Sequence, residues 1–183
     1  MSMNKARASD ALKLARIKKG KESILKFAKI YFGDDYMTSE PCSFHNDICG
    51  ILIDMSDKRR RNLAAAAPRG HAKSTIVSFF YVVWSICYSK ENYILLFSAT
   101  ERQAVSLMSN IKQAFESNEK LMYDFPEVCR VGEGLDKYKW TQQEIETRNG
   151  IKVEAFGCTQ EVRTFRFAQH RPTLVIFEAL VAD

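Results

Sequence analysis

Apolar runs of strand type alternate with helical patterns along this chain, and that order constrains the fold more than any other feature. Residues 92–97 and 173–177 are two almost uninterrupted apolar runs, which is typical of strands buried on both faces of a sheet. After the first run, apolar residues recur at helical spacing from Ala104 to Phe115. Strands that alternate with helices predict an α/β fold, with a parallel sheet flanked by helices.

Three further segments refine this prediction. Residues 62–67 predict a short strand of small side chains that leads through a Pro/Gly turn into an apolar helix. Residues 144–148 and 151–156 flank Asn149-Gly150, the strongest short-range signal for a β-hairpin. Residues 118–138 contain proline and glycine and predict a loop.

The amino-terminal part reads as helical. Residues 10–31 place apolar side chains on one face among many lysines, and the glycine and two aspartates of 33–35 are expected to end this helix. A second helical pattern spans residues 43–55. We therefore predict two parts: a basic helical segment, 1–40, and an α/β domain, 41–183.

Charge is distributed unevenly along the chain. The net charge is +5, but residues 1–75 alone carry 15 Lys/Arg against 8 Asp/Glu. A basic front half suggests a polyanionic partner, although a solubilising basic helix without a ligand explains the same imbalance and is favoured on charge alone. No apolar run approaches the roughly 18 residues of a membrane span, and no signal peptide is evident, so we expect no membrane partner and a cytosolic location.

The turn after residues 62–67 has the composition of a phosphate-binding loop. Such loops need small residues that let backbone N–H groups surround phosphate oxygens, a lysine for the β/γ charge and a hydroxyl for Mg²⁺, all at a helix N-terminus. Lys73-Ser74 match the last two letters of the G-x-x-x-x-G-K-[ST] pattern, while Ala67 and Ala72 stand where the glycines are usual. By itself the motif is compatible with a plain turn, but its position between a strand and a helix favours a phosphate loop.

The loop and four later segments together resemble one family. The segment from Ala67 to Thr75, which reads Ala-Pro-Arg-Gly-His-Ala-Lys-Ser-Thr, resembles the deviant Walker A motif of the large terminase subunits of tailed bacteriophages. These are P-loop ATPases of the additional-strand (ASCE) type that drive double-stranded DNA into procapsids. The remaining similar segments, in order, are Phe97-Ser98-Ala99-Thr100 with Gln103-Ala104, Trp140 with Asn149-Gly150, Gly157 to Arg166, and Arg171 to Phe177. The resemblance covers roughly residues 41–183 and implies an incomplete ATPase sheet with a β-hairpin insertion.

The resemblance also implies roles for individual residues. Lys73 would hold the β/γ-phosphates of ATP, Ser74 would help to bind Mg²⁺, and Arg69 would act as an arginine finger within the same chain. A guanidinium in that place has a physical purpose, since phosphoryl transfer spreads negative charge over the equatorial oxygens. Glu178 would serve Mg²⁺, partly through water. The residues expected around the nucleotide are Pro68, Arg69, Gly70, His71, Ala72, Lys73, Ser74 and Thr75.

The chain departs from the family pattern at three places. The family usually carries two acids after the Walker B strand, whereas here Glu178 is followed by Ala179, which cannot act as a base. Thr164 stands between Arg163 and Arg166, where a glycine is common. For the two arginines, contact with phosphates or with a neighbouring subunit and a role in a structural ion pair all remain open. Family members are also much longer and carry a nuclease domain, so we interpret the 183 residues as an amino-terminal fragment or truncated product with weakened hydrolysis.

Two other functions remain open. A helicase-like P-loop ATPase would also suit Ser98-Ala99-Thr100, and a non-catalytic nucleotide-binding or DNA-binding remnant would suit Ala179. The partners implied by the resemblance are double-stranded DNA, the small terminase subunit, the portal of the procapsid and further copies in a ring, all in the host cytoplasm. Residues 44–46 lie where the family often contacts adenine, but capping or packing at a helix is favoured for them.

Overall fold

The structure is a computed structural model that divides into two compact units, Met1–Ala65 and Ala66–Asp183. The division falls after the third helix, whereas the sequence placed it at residues 40/41. The backbone of the protein is described for residues 2–36, 40–58, 62–68, 70–130, 132, 134, 137–158, 167 and 171–178. The side chains are described from residue 10 onward within these ranges, except those of residues 34 and 35. In these ranges we find no helix whose length and apolar character would suit a membrane span.

The first unit is helical. Its helices are α1 Ser2–Lys21, α2 Ile24–Tyr36 and α3 Ser43–Lys58. The single predicted helix over residues 10–31 is wrong, because Ser23 starts a new helix: its side-chain oxygen accepts from the Lys26 backbone N–H at 3.4 Å. The predicted stop at residues 33–35 is also wrong, since α2 continues to Tyr36. The helix predicted over residues 43–55 is confirmed in α3.

The helices of the second unit begin with a π-helical segment, Thr75–Phe80, which runs directly into α4, Tyr81–Cys87. The next two are α5 Glu101–Ser117 and α6 Glu119–Asp124. The prediction of α5 is confirmed. The prediction that residues 118–138 are all loop is wrong, because Asn118 caps α6 by accepting from the Leu121 N–H at 3.0 Å.

The second unit holds a four-stranded mixed sheet in the order β2-β3-β1-β4. Its strands are β1 Tyr93–Ser98, β2 Glu144–Glu146, β3 Lys152–Gly157 and β4 Leu174–Glu178. Strands β3, β1 and β4 are parallel, as predicted, and β2 is antiparallel to β3, so the sheet as a whole is mixed. The hairpin at Asn149-Gly150 is confirmed, but β3 also pairs with β1 and therefore belongs to the main sheet and not to a separate insertion.

The strand predicted at residues 62–67 is wrong. Residues 62–68 have no regular secondary structure, and the segment enters the π-helical segment through the loop at Gly70–Ala72. Its run of alanines lacks the β-branched and aromatic side chains that favour strands, so strand formation there depends entirely on a neighbouring strand. The fully buried strand predicted at residues 173–177 is β4, which is buried only in part: Phe177 is 60% exposed.

The two faces of the sheet carry different side chains because alternate residues of a strand point to opposite sides. The register aligns Ser98 with Gly157 on one side and with Glu178 on the other. These three residues share the face that α5 covers, since a Cβ built on Gly157 would lie 2.5 Å from the Glu101 backbone nitrogen. The opposite face carries an aromatic row in which the rings of Phe97 and Phe177 stack with centroids 5.0 Å apart.

Candidate functional site at the carboxyl edge of the sheet

The helix that follows the loop runs antiparallel to β1. A tight turn joins the end of α4 to the start of β1, with the Lys90 N–H donating to the Ser85 carbonyl at 2.8 Å and the Tyr88 N–H donating to the Trp84 carbonyl at 3.0 Å. The last turn of α4 therefore lies near the amino end of β1. The first turn of the π-helical segment lies toward the carboxyl end of β1.

The lengths of the two elements agree with this placement. Thr75–Cys87 spans about 20 Å at helical rise, and the six residues of β1 span about 20 Å at strand rise. The π-helical segment also packs against β4. The loop before Thr75 is thus at the level where the parallel strands β1, β3 and β4 end.

Two residues of the loop have a positive φ, a feature that anion-binding loops also use. Gly70 has φ +87° and Ala72 has φ +51°, while the Ile76 N–H already donates to the Ala72 carbonyl at 2.9 Å. A positive φ costs a residue with a Cβ roughly 1–2 kcal/mol, so the fold holds Ala72 in a strained conformation. Backbone turns that alternate between right- and left-handed conformations point successive N–H groups into one concave surface, which attracts anions.

The side chains expected around the nucleotide are accessible. Pro68, Gly70, His71, Ala72 and Ser74 are exposed, and Lys73 and Thr75 are partly exposed. The Ser74 hydroxyl makes no capping hydrogen bond at the start of the π-helical segment. Lys73, Ser74 and Thr75 thus occupy the first turn of the helix, and none of the three is buried. Arg69 lies outside the described residues.

Two buried oxygens without hydrogen-bond partners mark the end of the sheet. Ser98 Oγ and Glu178 Oε2 are buried, and neither has a hydrogen-bond partner in the described part of the chain. The two residues end β1 and β4 and are register partners, so their side chains leave the same face on adjacent strands about 5 Å apart. Each unpartnered buried oxygen costs about 1–3 kcal/mol, which indicates that this position is built to receive a polar group.

A magnesium ion with bound phosphates fits these residues better than a cage made by the protein alone. Among the described residues, no group of three or more His, Cys, Asp or Glu side chains is placed to hold a metal ion. Mg²⁺ in phosphate-transfer sites is typically held by one or two carboxylates, phosphate oxygens and water. The unpartnered oxygen of Glu178 belongs to a carboxylate, the kind of group that would hold such an ion directly or through water.

Several residues named from the sequence do not contribute to this picture. Ala179, Arg163, Thr164, Arg166 and Asp183 lie outside the described residues. Of the residues considered for adenine, His45 accepts from the Cys42 N–H at 3.1 Å, and Asn46 donates its side-chain amide to the Cys42 carbonyl at 3.1 Å. Both therefore cap the start of α3, as the sequence analysis favoured.

Ser98 and Gly157 were not predicted as site residues. Ser98 belongs to the Ser-Ala-Thr segment that was compared with the family, but only its pairing with Glu178 brings it to the site. Gly157 lets α5 begin directly above the strand ends, with Thr100 as its N-cap and Gln103 completing a capping box. Ser98 had no further signal in the sequence, because a serine at a strand end is common.

A charged cluster on the opposite face was also not predicted. Lys152 Nζ lies 2.8 Å from Glu144 Oε1 and 3.0 Å from Glu154 Oε1, and only 9% of the lysine side chain is exposed. The Tyr93 hydroxyl donates to Glu154, and the lysine lies over the Tyr93 ring. Burial alone would lower the pKa of Lys152, but hydrogen bonds to Glu144 and Glu154 outweigh it and raise that pKa. The cluster is charged and internally paired, so we assign it to the stability of the sheet.

Comparison with other proteins adds no further identification. The chain matches no protein-family model, no curated protein and no solved structure.

Proposed function

We propose that this chain binds ATP with Mg²⁺ at the carboxyl edge of its sheet and that it is the ATPase part of a phage large terminase subunit, which drives double-stranded DNA into procapsids. The proposal assigns the second unit to the P-loop ATPases of the additional-strand type. One observation carries it: a loop with strained, left-handed Ala72 leads into a helix at the sheet edge where the buried oxygen of Glu178 lacks a partner.

Each residue of the site has a task in this proposal. Backbone N–H groups of Gly70–Ala72 and the start of the helix bind phosphate oxygens, and the Lys73 ammonium neutralises the β/γ charge. Ser74 and Glu178 orient the hydrated magnesium. When bound, Mg²⁺ supplies charge neutralisation at the phosphates. Arg69 supplies a guanidinium for the charge that develops during phosphoryl transfer.

Removal of the loop lysine tests the nucleotide site. In Lys73→Ala we expect ATP affinity to fall at least about tenfold, because a charge-assisted contact contributes about 1.5–3 kcal/mol. The measurement is calorimetric or fluorescence titration of the full chain with ATP in the presence of Mg²⁺. The control is Lys120→Ala on α6, an exposed lysine away from the loop. If Lys73→Ala binds ATP as tightly as the parent chain, no P-loop assignment stands.

Restoration of the second acid tests the catalytic part. If Ala179 occupies the position of the general base, Ala179→Glu raises ATP turnover roughly a hundredfold, the scale of general-base catalysis. Steady-state phosphate release from both chains, with and without double-stranded DNA, measures this. A matched Ala179→Gln variant has a similar shape without the base and is expected to stay at the parent rate. Equal turnover for parent and Ala179→Glu contradicts the assignment of this position.

The second candidate is a nucleotide-binding remnant that does not turn over ATP, and Ala179 after Glu178 is the observation in its favour. It predicts Lys73-dependent ATP binding with no turnover in either chain and no stimulation by DNA. A DNA motor instead predicts stimulation by DNA that falls with salt, because phosphate contacts release counterions. Two lysines that contribute to the basic amino-terminal part form ion pairs within their own helices: Lys26 pairs with Glu22, and Lys58 pairs with Asp54.

The remaining partners follow from the resemblance. The small terminase subunit, the portal of the procapsid and further copies in a ring are proposed as partners, in the host cytoplasm. Analytical ultracentrifugation of the chain with and without ATP tests self-association directly.

A further inference from the structure

Ser98 is a buried polar residue at the carboxyl edge of the sheet that the proposed nucleotide chemistry leaves unused. The residue is 2% exposed, and its hydroxyl has no hydrogen-bond partner in the described ranges. Its backbone carbonyl is already engaged, because it accepts from the Cys158 N–H at 2.9 Å. The hydroxyl alone is therefore left to bind something that lies beyond the strand end.

The neighbouring strand supplies a second buried oxygen that could bind the same group. Glu178 is the register partner of Ser98, and its Oε2 is likewise buried and unpartnered. The two oxygens make no hydrogen bond with each other, although a hydroxyl is able to donate to a carboxylate. An atom that bridges them, with a proton for Glu178 and a lone pair or proton for Ser98, satisfies both, and water has that chemistry.

We propose that Ser98 Oγ and Glu178 Oε2 together hold one water of the hydrated magnesium ion, so that Ser98 is a positioning residue that acts through this water. The inference rests on the proposed nucleotide site. It adds Ser98, which ends β1, whereas Glu178 ends β4 and the loop precedes the π-helical segment. Mg²⁺ gives up its water reluctantly and is usually held through several bound waters, so the hydroxyl contributes without touching the metal. Removal of such outer partners typically weakens metal affinity 10–100-fold.

A second buried serine provides a matched control. Ser85 in α4 is fully buried, and its hydroxyl also has no partner in the described ranges, but it lies where α4 turns toward the amino end of β1. Ser98→Ala and Ser85→Ala therefore remove the same atom from equally buried positions at opposite ends of the strand. If both hydroxyls are merely buried, the two variants behave alike.

The experiment is a titration of the full chain with Mn²⁺, with and without ATP, in which electron paramagnetic resonance reports the free ion. We expect Ser98→Ala to bind Mn²⁺ about tenfold more weakly, Glu178→Gln to bind at least as weakly, and Ser85→Ala to match the parent chain. Thermal melts without cation check that all variants are folded. Parent-like Mn²⁺ binding by Ser98→Ala overturns the inference, and so does a parent chain that binds no Mn²⁺.

Failure of this inference is distinguishable from failure of the proposed function. If ATP binding requires Lys73 but Mn²⁺ binding does not respond to Ser98→Ala, only the role of Ser98 is wrong. If ATP binding does not respond to Lys73→Ala, the proposed function is wrong. The Mn²⁺ titration without ATP still decides whether Ser98 and Glu178 help to bind a hydrated cation.

Discussion

Gly157→Ala is expected to destabilise the second unit by about 3 kcal/mol and to lower its Tm by roughly 10 °C. A Cβ at this position would lie 2.5 Å from the Glu101 nitrogen and 2.9 Å from the Thr100 carbonyl carbon. Both atoms belong to backbone at the start of α5, so no side-chain rotation relieves the overlap. The helix must move away from β3, which opens the packing of α5 on the sheet and disturbs the capping box at Thr100.

Thermal and urea denaturation followed by circular dichroism measure this loss. The control is Gly50→Ala in α3, where an added Cβ meets nothing within 4 Å. Since alanine is the better helix former by about 1 kcal/mol, Gly50→Ala is expected to be neutral or stabilising. A Gly157→Ala chain that melts with the parent would show that α5 does not lie on the strand end as described.

Lys152→Met is expected to cost about 3 kcal/mol at neutral pH, because it leaves two carboxylates near each other with no buried cation between them. Glu144 and Glu154 both contact this lysine within 3.0 Å, and their side chains are 19% and 15% exposed. Breaking a buried ion pair by removing one partner is costly because the remaining charge stays desolvated. Methionine keeps most of the lysine's length, so the lost charge and not a cavity dominates the effect.

Lys139→Met is the matched control. Lys139 contacts the same carboxylate, Glu144, at 3.1 Å, but 59% of its side chain is exposed. Exposed ion pairs contribute at most about 1 kcal/mol, so urea denaturation should show a small loss for Lys139→Met and a large one for Lys152→Met. Equal losses would contradict the assignment of Lys152 as the cation that holds the cluster.

The contribution of this cluster to the free energy of unfolding changes with pH in opposite directions in the parent chain and in Lys152→Met. Burial alone would raise the pKa of Glu144, but hydrogen bonds from Lys152 and Lys139 outweigh it and hold the pKa below its ordinary value. In the parent chain this contribution is present above the unfolded pKa of glutamate, about 4.3, and is lost as pH falls through the lower folded pKa. In Lys152→Met the pKa of Glu144 rises, because the hydrogen bond and the charge of Lys152 that lowered it are lost, so protonation of Glu144 relieves the penalty. The gap in unfolding free energy between the chains therefore narrows on acidification below about pH 5.

Much of the fold was predictable because its signals are local. The apolar runs that become β1 and β4, the helical spacing of α5 and the Asn149-Gly150 turn are each read within a few residues. The failures have the same origin. The strand at residues 62–67 and the single helix over 10–31 were predicted from composition and hydrophobic period alone. A strand forms only where a neighbouring strand pairs with it, and residues 62–67 form none. The helix is divided because Ser23 caps a new helix.

The candidate site was predictable in one half only. Lys73 and Ser74 follow from a contiguous motif, and the loop's positive φ at Gly70 and Ala72 agrees with the phosphate-loop composition. Ser98 was not predictable, because its significance depends on a hydroxyl left without a partner. That property exists only once β4 pairs with β1 and helices cover the face.

The sequence by itself determined the strands β1 and β4, the helix α5 and the turn at Asn149-Gly150, because side-chain period and backbone preference act over neighbouring residues. Only the tertiary structure decided that β3 closes a hairpin with β2 while pairing in parallel with β1. It also buried Lys152 between two glutamates and set Ser98 beside Glu178. Strand order and register join segments that are distant in the chain, and they are selected by the packing of whole faces, which no local pattern records.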